Sequence, residues 1–183
     1  MRHPFLESIA AKLALLEIAS LRYQFLYMDR GAKRPDPPQL CHTVVRAAVA
    51  AAARRTPVPL IAGGRSFGGR MTSQAQAENP LPGVRGLAFL AFPLHPAKRP
   101  ATERAKHLFD VRIPMLFLQG TRDELAEIQL LGPLLTKLGT STSSSLIEGA
   151  NHSFHVPARS GRNDADVLSE VATTLAGWVD SII

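Results

Sequence analysis

Apolar residues are spaced along the chain in two patterns that alternate. Spacings of three and four residues, typical of one buried face of a helix, occur near the start, where Phe5, Ile9 and Leu13 share a face, and again at the end. Short runs that are apolar throughout, or apolar at every second position, are typical of strands. They predict strands at residues 22–27, 58–62, 84–92 and 113–120, and a short last strand is expected at 143–149.

Helices are predicted between these strands, and their order defines a fold class. The sequence favours them at about residues 39–55, from the glycine stretch at 63–70 to about residue 78, at 102–108, at 125–138 (where Pro133 is a possible break) and from Val167 onwards. Strands that alternate with helices are typical of right-handed crossovers and a parallel sheet. We therefore expect a single α/β domain over residues 1–183, with three layers and a mostly parallel sheet of about five strands.

Composition and charge narrow the classes of partner. The chain has 21 basic and 15 acidic residues, a net charge of +6. The basic residues are dispersed, and their densest group, DRGAKR at 29–34, contains no aromatic residue for base stacking, so no nucleic-acid partner is predicted. No apolar run reaches the roughly 18 residues that a membrane span needs, and the charged N-terminal segment is not a signal peptide. No membrane partner is predicted, and the oligomeric state stays open.

A single cysteine, Cys41, excludes an internal disulfide and indicates a reducing compartment, which predicts a cytoplasmic protein. It lies in the predicted helix at 39–55, where a buried apolar role is expected rather than a nucleophilic one.

The stretch GGRSFGGR at 63–70 is the first candidate for chemistry, because four glycines around one serine disfavour both helix and strand. Two mechanisms use glycines between a strand and a helix. The phosphate-binding pattern G-x-x-x-x-G-K-[ST] fails, because Arg70 and Met71 stand at its last two positions. The nucleophile-elbow pattern G-x-S-x-G is matched in full by residues 64–68, with Ser66 at its centre.

Two further residues follow predicted strand ends. Asp123 follows the strand at 113–120, and His152 follows the strand at 143–149. Carboxyl ends of parallel strands share one sheet edge, where function gathers, and the order Ser66, Asp123, His152 is that of α/β-hydrolase triads. The alternatives are a turn role for Ser66, a helix-capping role for Asp123, and His95 or His155 in place of His152.

Four segments carry a family resemblance: GGRSFGGRM, VRGLAFLAFPLHP, IPMLFLQGTRDE and ANHSFHVPARSGR. They resemble the α/β-hydrolases related to dienelactone hydrolases, with similarity from about residue 22 to the C-terminus. The resemblance implies Ser66 as nucleophile, Asp123 as acid and His152 as base. It also implies that the backbone N–H of Phe67, which stands where the family usually has methionine, is an oxyanion donor.

The function implied is that of a serine hydrolase without a cap domain. It would act on a small-molecule ester, thioester or related acyl substrate and need neither a metal nor an organic cofactor. The resemblance leaves an alternative open, because some members of this branch serve as non-catalytic scaffolds. That alternative is a hydrolase-fold interaction protein that keeps the three residues without turnover.

The resemblance also implies that one family element is missing. In the family, a strand and an "HGAG"-like loop that supplies the second oxyanion donor precede the first helix. Here a helix is predicted from Pro4, so we expect the chain to be N-terminally truncated relative to the family and a weak catalyst. The missing strand would lie between those at 22–27 and 58–62. Either these two pair directly, or another segment fills the gap.

Overall fold

The computed structural model describes residues 3–183, which form four strands, six α-helices and two short 3-10 helices. The strands are β1 (Leu60–Arg65), β2 (Val84–Leu90), β3 (Met115–Gly120) and β4 (Thr142–Ile147). The α-helices are α1 (Pro4–Leu15), α2 (Leu26–Asp29), α3 (Pro38–Ala53), α4 (Phe67–Glu78), α5 (Ile128–Leu138) and α6 (Asp164–Ile182), and the 3-10 helices are Glu103–Asp110 and Ala158–Ser160.

The sheet is parallel throughout, and its strand order follows the chain, β1-β2-β3-β4. The two central strands are the most apolar, and their side chains are buried on both faces except at Arg85. This is the burial that the continuous apolar runs at 84–92 and 113–120 predicted, because helices cover both faces of such a sheet. All four strands end at one edge of the sheet.

Helices pack on both faces and complete a three-layer α/β fold. On one face, α1 and α6 pack together over residues such as Leu116 and Leu118. On the other face, α3, α4 and α5 cover Leu87, Phe89 and Phe117. The long α6 begins with a capping box, in which Asn163 accepts from backbone N–H groups of the first turn and Asp166 accepts from the Asn163 N–H.

The strand predicted at residues 22–27 is wrong, and the sheet has four strands rather than about five. Residues 22–25 are outside regular structure and α2 begins at Leu26. Alternating aromatic side chains produced the strand signal, but here they form a cluster in which the Phe25 ring lies 5.5 Å from that of Phe67. The backbone N–H of Tyr27 donates to the Asp36 carboxylate (2.8 Å) instead of to a neighbouring strand.

The expectation for the gap beside β1 is also wrong in both its forms. Within residues 3–183, β1 pairs with β2 alone, so it neither pairs with residues 22–27 nor receives another strand. A strand forms only where a partner backbone completes its ladder, and no side-chain pattern can supply that partner. β1 is therefore an edge strand, and its residues are only partly buried.

Two other elements differ in detail from the sequence expectation. The segment expected as a helix at 102–108 is a 3-10 helix, Glu103–Asp110. The helix expected at 125–138 begins at Ile128 and continues through Pro133 to Leu138. Among the described residues, no helix is both long enough and apolar enough to cross a membrane.

Candidate active site

Ser66 lies at the sharp turn between β1 and α4. Its φ of 50° and ψ of −118° belong to a region that non-glycine residues rarely adopt. The Ser66 N–H still donates to the carbonyl oxygen of Leu90 at the end of β2 (2.9 Å). The turn therefore begins directly after the pairing of β1 with β2 ends. This conformation is the one expected for a nucleophile elbow.

The turn at Ser66 requires only one of the two glycines of the G-x-S-x-G motif, together with a glycine that follows the motif. A Cβ at Gly69 would lie 2.7 Å from the Gly64 oxygen, and one at Gly64 would lie 3.1 Å from the Gly68 backbone. A Cβ at Gly68 would have no atom within 4 Å. The close approach of strand and helix therefore depends on Gly64 and Gly69, whereas the second glycine of G-x-S-x-G has open space.

The structure brings Ser66, Asp123 and His152 together. His152 Nε2 lies 2.7 Å from Ser66 Oγ, and His152 Nδ1 lies 2.7 Å from Asp123 Oδ2. The carboxylate of Asp123 is fully buried, while 22% of the His152 side chain is exposed. This arrangement places one imidazole nitrogen on the hydroxyl and the other on a carboxylate that water does not reach.

Gln119 supports the Asp123 carboxylate, a contact that no pattern in the sequence indicates. The fully buried Gln119 side chain donates its amide N–H to Asp123 Oδ2 and accepts from the Phe92 backbone N–H (2.9 Å). The other oxygen, Oδ1, accepts from the Leu125 N–H (2.8 Å). Helix capping is not the role of Asp123, because α5 begins five residues later. The carboxylate is thus fixed to the ends of β2 and β3.

A tight turn and a cation hold the loop that carries His152. Asn151 Oδ1 accepts from the backbone N–H groups of Ser153 (2.8 Å) and His155 (3.1 Å). Arg65, next to Ser66 in the chain, donates from Nη2 to the His152 carbonyl oxygen (3.2 Å) and to Ser153 Oγ (3.1 Å). Arg65 thereby ties the elbow to the histidine loop. Its only sequence signal was its place beside Ser66.

Gly120 allows the histidine loop to approach the end of β3. A Cβ at this position would lie 2.3 Å from the Ala150 oxygen and 2.9 Å from the Asn151 oxygen. Side chains essentially never approach backbone atoms so closely. The loop can therefore bring His152 to Asp123 only because residue 120 has no side chain.

The competing residues lie outside this arrangement. His155 Nδ1 faces the Asp164 carboxylate at 2.9 Å on the surface. His95 is fully buried, with Nδ1 2.9 Å from the Pro96 oxygen. Cys41 is buried in α3. Over residues 3–183, no group of three or more His, Cys, Asp or Glu side chains is placed to hold a metal ion.

Phe67 supplies the first backbone N–H of α4. Such an N–H has no partner within its helix, and in the described part of the chain it donates to no backbone carbonyl. It is therefore available to hydrogen-bond an atom bound beside Ser66. The second donor that the family resemblance implies, upstream of α1, lies outside the described residues.

A cleft of about 370 Å³ opens beside Ser66. Its lining residues are Pro35, Asp36, Pro38, Ser66, Phe67, Arg70, Pro93, Arg104 and Leu125. This volume is in the range of small-molecule sites. Arg70 belongs to α4 and Arg104 to the 3-10 helix Glu103–Asp110. The sequence indicates no shared role for them, and Arg70 enters it only as a mismatch to the phosphate-binding pattern.

Comparison with known proteins gives both a family and structural neighbours. A family model described as an alpha/beta hydrolase domain matches residues 1–180. An alpha-beta serine hydrolase homologue from Coxiella burnetii is 18% identical with a TM-score of 0.72, and the match covers 96% of this chain and 77% of that one.

Two further solved structures have the same fold. A serine hydrolase without lid from Xanthomonas campestris is 22% identical with a TM-score of 0.72, covering 97% of this chain and 75% of that one. A dienelactone hydrolase from Anabaena variabilis is 20% identical with a TM-score of 0.67, and the match covers 100% of this chain and 81% of that one. At these identities the likeness is one of fold.

Proposed function

We propose that this chain, which belongs to the alpha/beta hydrolase family, is a serine hydrolase that cleaves an ester, thioester or related acyl substrate. The observation that carries the proposal is the hydrogen-bonded line from Ser66 Oγ through the His152 imidazole to the buried Asp123 carboxylate. Family membership supports hydrolase chemistry in general, whereas the assignment of the three roles rests on this geometry.

The geometry suits nucleophilic catalysis in two steps. Ser66 Oγ attacks the substrate carbonyl while His152 Nε2 takes its proton, and Asp123 stabilises the imidazolium that forms. The Phe67 N–H donates to the oxyanion of the tetrahedral intermediate. His152 then returns the proton to the leaving alcohol or thiol, which leaves an acyl group on Ser66.

The second step restores the enzyme by the same groups. His152 Nε2 takes a proton from a water molecule, and the water oxygen attacks the acyl carbonyl. The bond from the carbonyl carbon to Ser66 Oγ breaks, Ser66 recovers its proton from His152, and the acid product leaves. Both steps balance without a metal or an organic cofactor.

Labelling with a fluorophosphonate probe, together with hydrolysis of p-nitrophenyl esters, tests the proposal. Ser66→Ala should remove the label, and Ser66→Ala and His152→Ala should each lower kcat by about 10⁴-fold or more, because triad members act as a unit. Ser143→Ala, a matched change at an exposed serine of β4, should leave both unchanged. Absence of both label and turnover in the unaltered protein would favour the non-catalytic scaffold instead.

A further inference from the structure

Two arginines without anionic partners lie in the cleft beside Ser66. Arg70, on the first turn of α4, and Arg104, on the 3-10 helix, both line it and are both half-buried. Within residues 3–183, neither forms an ion pair with a carboxylate. The buried Nε of Arg70 has no hydrogen-bond acceptor in the described part of the chain, and the Arg70 guanidinium lies 5.5 Å from the Phe67 ring centre.

The surroundings of Arg70 are cationic. Burial, and then the charge of Arg104, lower the pKa of the Arg70 guanidinium. Burial and the Arg70 charge lower the pKa of the neighbouring His107 to about 4, so that His107 is neutral near pH 7. The positive charges of Arg70 and Arg104 oppose each other in this partly buried cleft, and an anion bound between them would remove that repulsion.

Within the described residues, Asp36 is the one carboxylate that lines the cleft, and it does not neutralise them. Asp36 forms an ion pair with Arg30 and accepts the Tyr27 N–H (2.8 Å), so its charge is already balanced. The side of the cleft formed by Arg70 and Arg104 therefore keeps a net positive charge. The nucleophile Ser66 lines the same cleft.

We propose that Arg70 and Arg104 form a subsite for an oxyanion, so that the substrate of this hydrolase is an ester that carries a carboxylate or phosphate group away from the reacting carbonyl. This inference rests on the proposed function of Ser66. Guanidinium groups suit the role because their planar donors match the two oxygens of a carboxylate or phosphate.

The subsite would bind the anion and orient the carbonyl at the same time. An anion held on the α4 side of the cleft fixes the acyl group relative to Ser66. A reacting group that is held in the correct orientation reacts faster, so part of the binding free energy lowers the activation barrier. Both arginines are partly open to solvent, which screens the attraction. Charge-assisted contacts of this kind give a selectivity of about ten- to a hundredfold for the anionic ester over a neutral one.

Two ester substrates of similar length measure this selectivity. One is the mono-p-nitrophenyl ester of glutaric acid, whose free carboxylate is charged at pH 7, and the other is p-nitrophenyl hexanoate, which is neutral. We expect kcat/KM for the glutarate ester to exceed that for the hexanoate by about ten- to a hundredfold. Inhibition of the hexanoate reaction by glutarate and by glycerol phosphate distinguishes a carboxylate subsite from a phosphate subsite.

Variants identify the residues responsible. Arg104→Gln and Arg70→Gln should each lower the ratio of the two kcat/KM values towards one and weaken inhibition by the anions. Arg112→Gln is the matched control, because Arg112 is exposed and does not line the cleft. It should leave the ratio unchanged. Circular dichroism of each variant establishes that it is folded.

The outcomes separate this inference from the proposed function. Ser66-dependent hydrolysis of both esters at equal kcat/KM, with neither anion inhibiting, would overturn the oxyanion subsite and leave the serine hydrolase standing. A preference for the glutarate ester that survives both arginine variants would also overturn it. Turnover that Ser66→Ala does not reduce would contradict the proposed function itself.

Discussion

Replacement of Gly120 by alanine tests whether the end of β3 sets the position of His152. In the present structure the added Cβ would lie 2.3 Å from the Ala150 oxygen, and contacts under 3.0 Å are essentially never observed. The loop must therefore move by about 0.7–1 Å. A misplacement of about 1 Å in a catalytic group costs about 10²-fold in rate, and overpacking costs about 1–3 kcal/mol of stability.

The assay is kcat for a p-nitrophenyl ester, measured together with the free energy of unfolding in urea. Gly120→Ala should lower kcat by about 10²-fold while the protein stays folded at 25 °C. The matched control is Gly177→Ala in α6, where the added Cβ has no atom within 4 Å. It should leave kcat unchanged and add about 0.5–1 kcal/mol of stability, because alanine favours a helix interior. If Gly120→Ala has the same kcat as the control, the end of β3 does not set the position of His152.

Three further predictions concern the support of the site. Arg65→Met should lower kcat about tenfold with little change in KM, because about 1.4 kcal/mol of charge-assisted hydrogen bonding to the His152 loop is lost. Arg65→Lys should recover part of the lost kcat. If kcat is unchanged in Arg65→Met, Arg65 does not position His152. The pKa of His107 is lowered to about 4 from its ordinary 6.5, so between these pH values the unfolded chain binds more protons and the free energy of unfolding falls as pH falls. His107→Gln should remove up to about 3 kcal/mol of that fall, and superimposable pH profiles of the two proteins would contradict this. In urea unfolding, Gly69→Ala should lower the free energy of unfolding by about 1–3 kcal/mol, whereas Gly68→Ala should leave it unchanged. Equal effects of the two substitutions would show that the close approach of β1 and α4 does not depend on Gly69.

The α/β fold class and the two central strands could be predicted from the sequence. A strand buried on both faces must be apolar at every position, and such runs at 84–92 and 113–120 correspond to β2 and β3. The predicted strand at 22–27 failed because its alternating aromatics describe burial on one side only, which a loop packed against Phe67 also satisfies. Whether a segment has a neighbouring strand to pair with depends on the folded sheet and not on the pattern of its side chains.

The supports of the candidate site were beyond the sequence for a similar reason. Arg65 and His152, which share a hydrogen bond, are 87 residues apart in the chain. Gln119 accepts a hydrogen bond from Phe92, just after the end of β2 and 27 residues away. No local pattern encodes such pairs, because they exist only once the strand ends have been brought to one edge. The same holds for Arg70 and Arg104, whose shared cleft is made by two separate helices.

Residue patterns along the chain were enough to identify the features that depend on local geometry. A strained turn between strand and helix selects small residues, so the glycines marked Ser66, and strand-end positions marked Asp123 and His152. The folded structure was needed to identify the indispensable glycines, the groups that hold the carboxylate and the imidazole, and the location of the positive charge in the cleft. Those properties depend on distances between segments far apart in the chain, and such distances arise from packing.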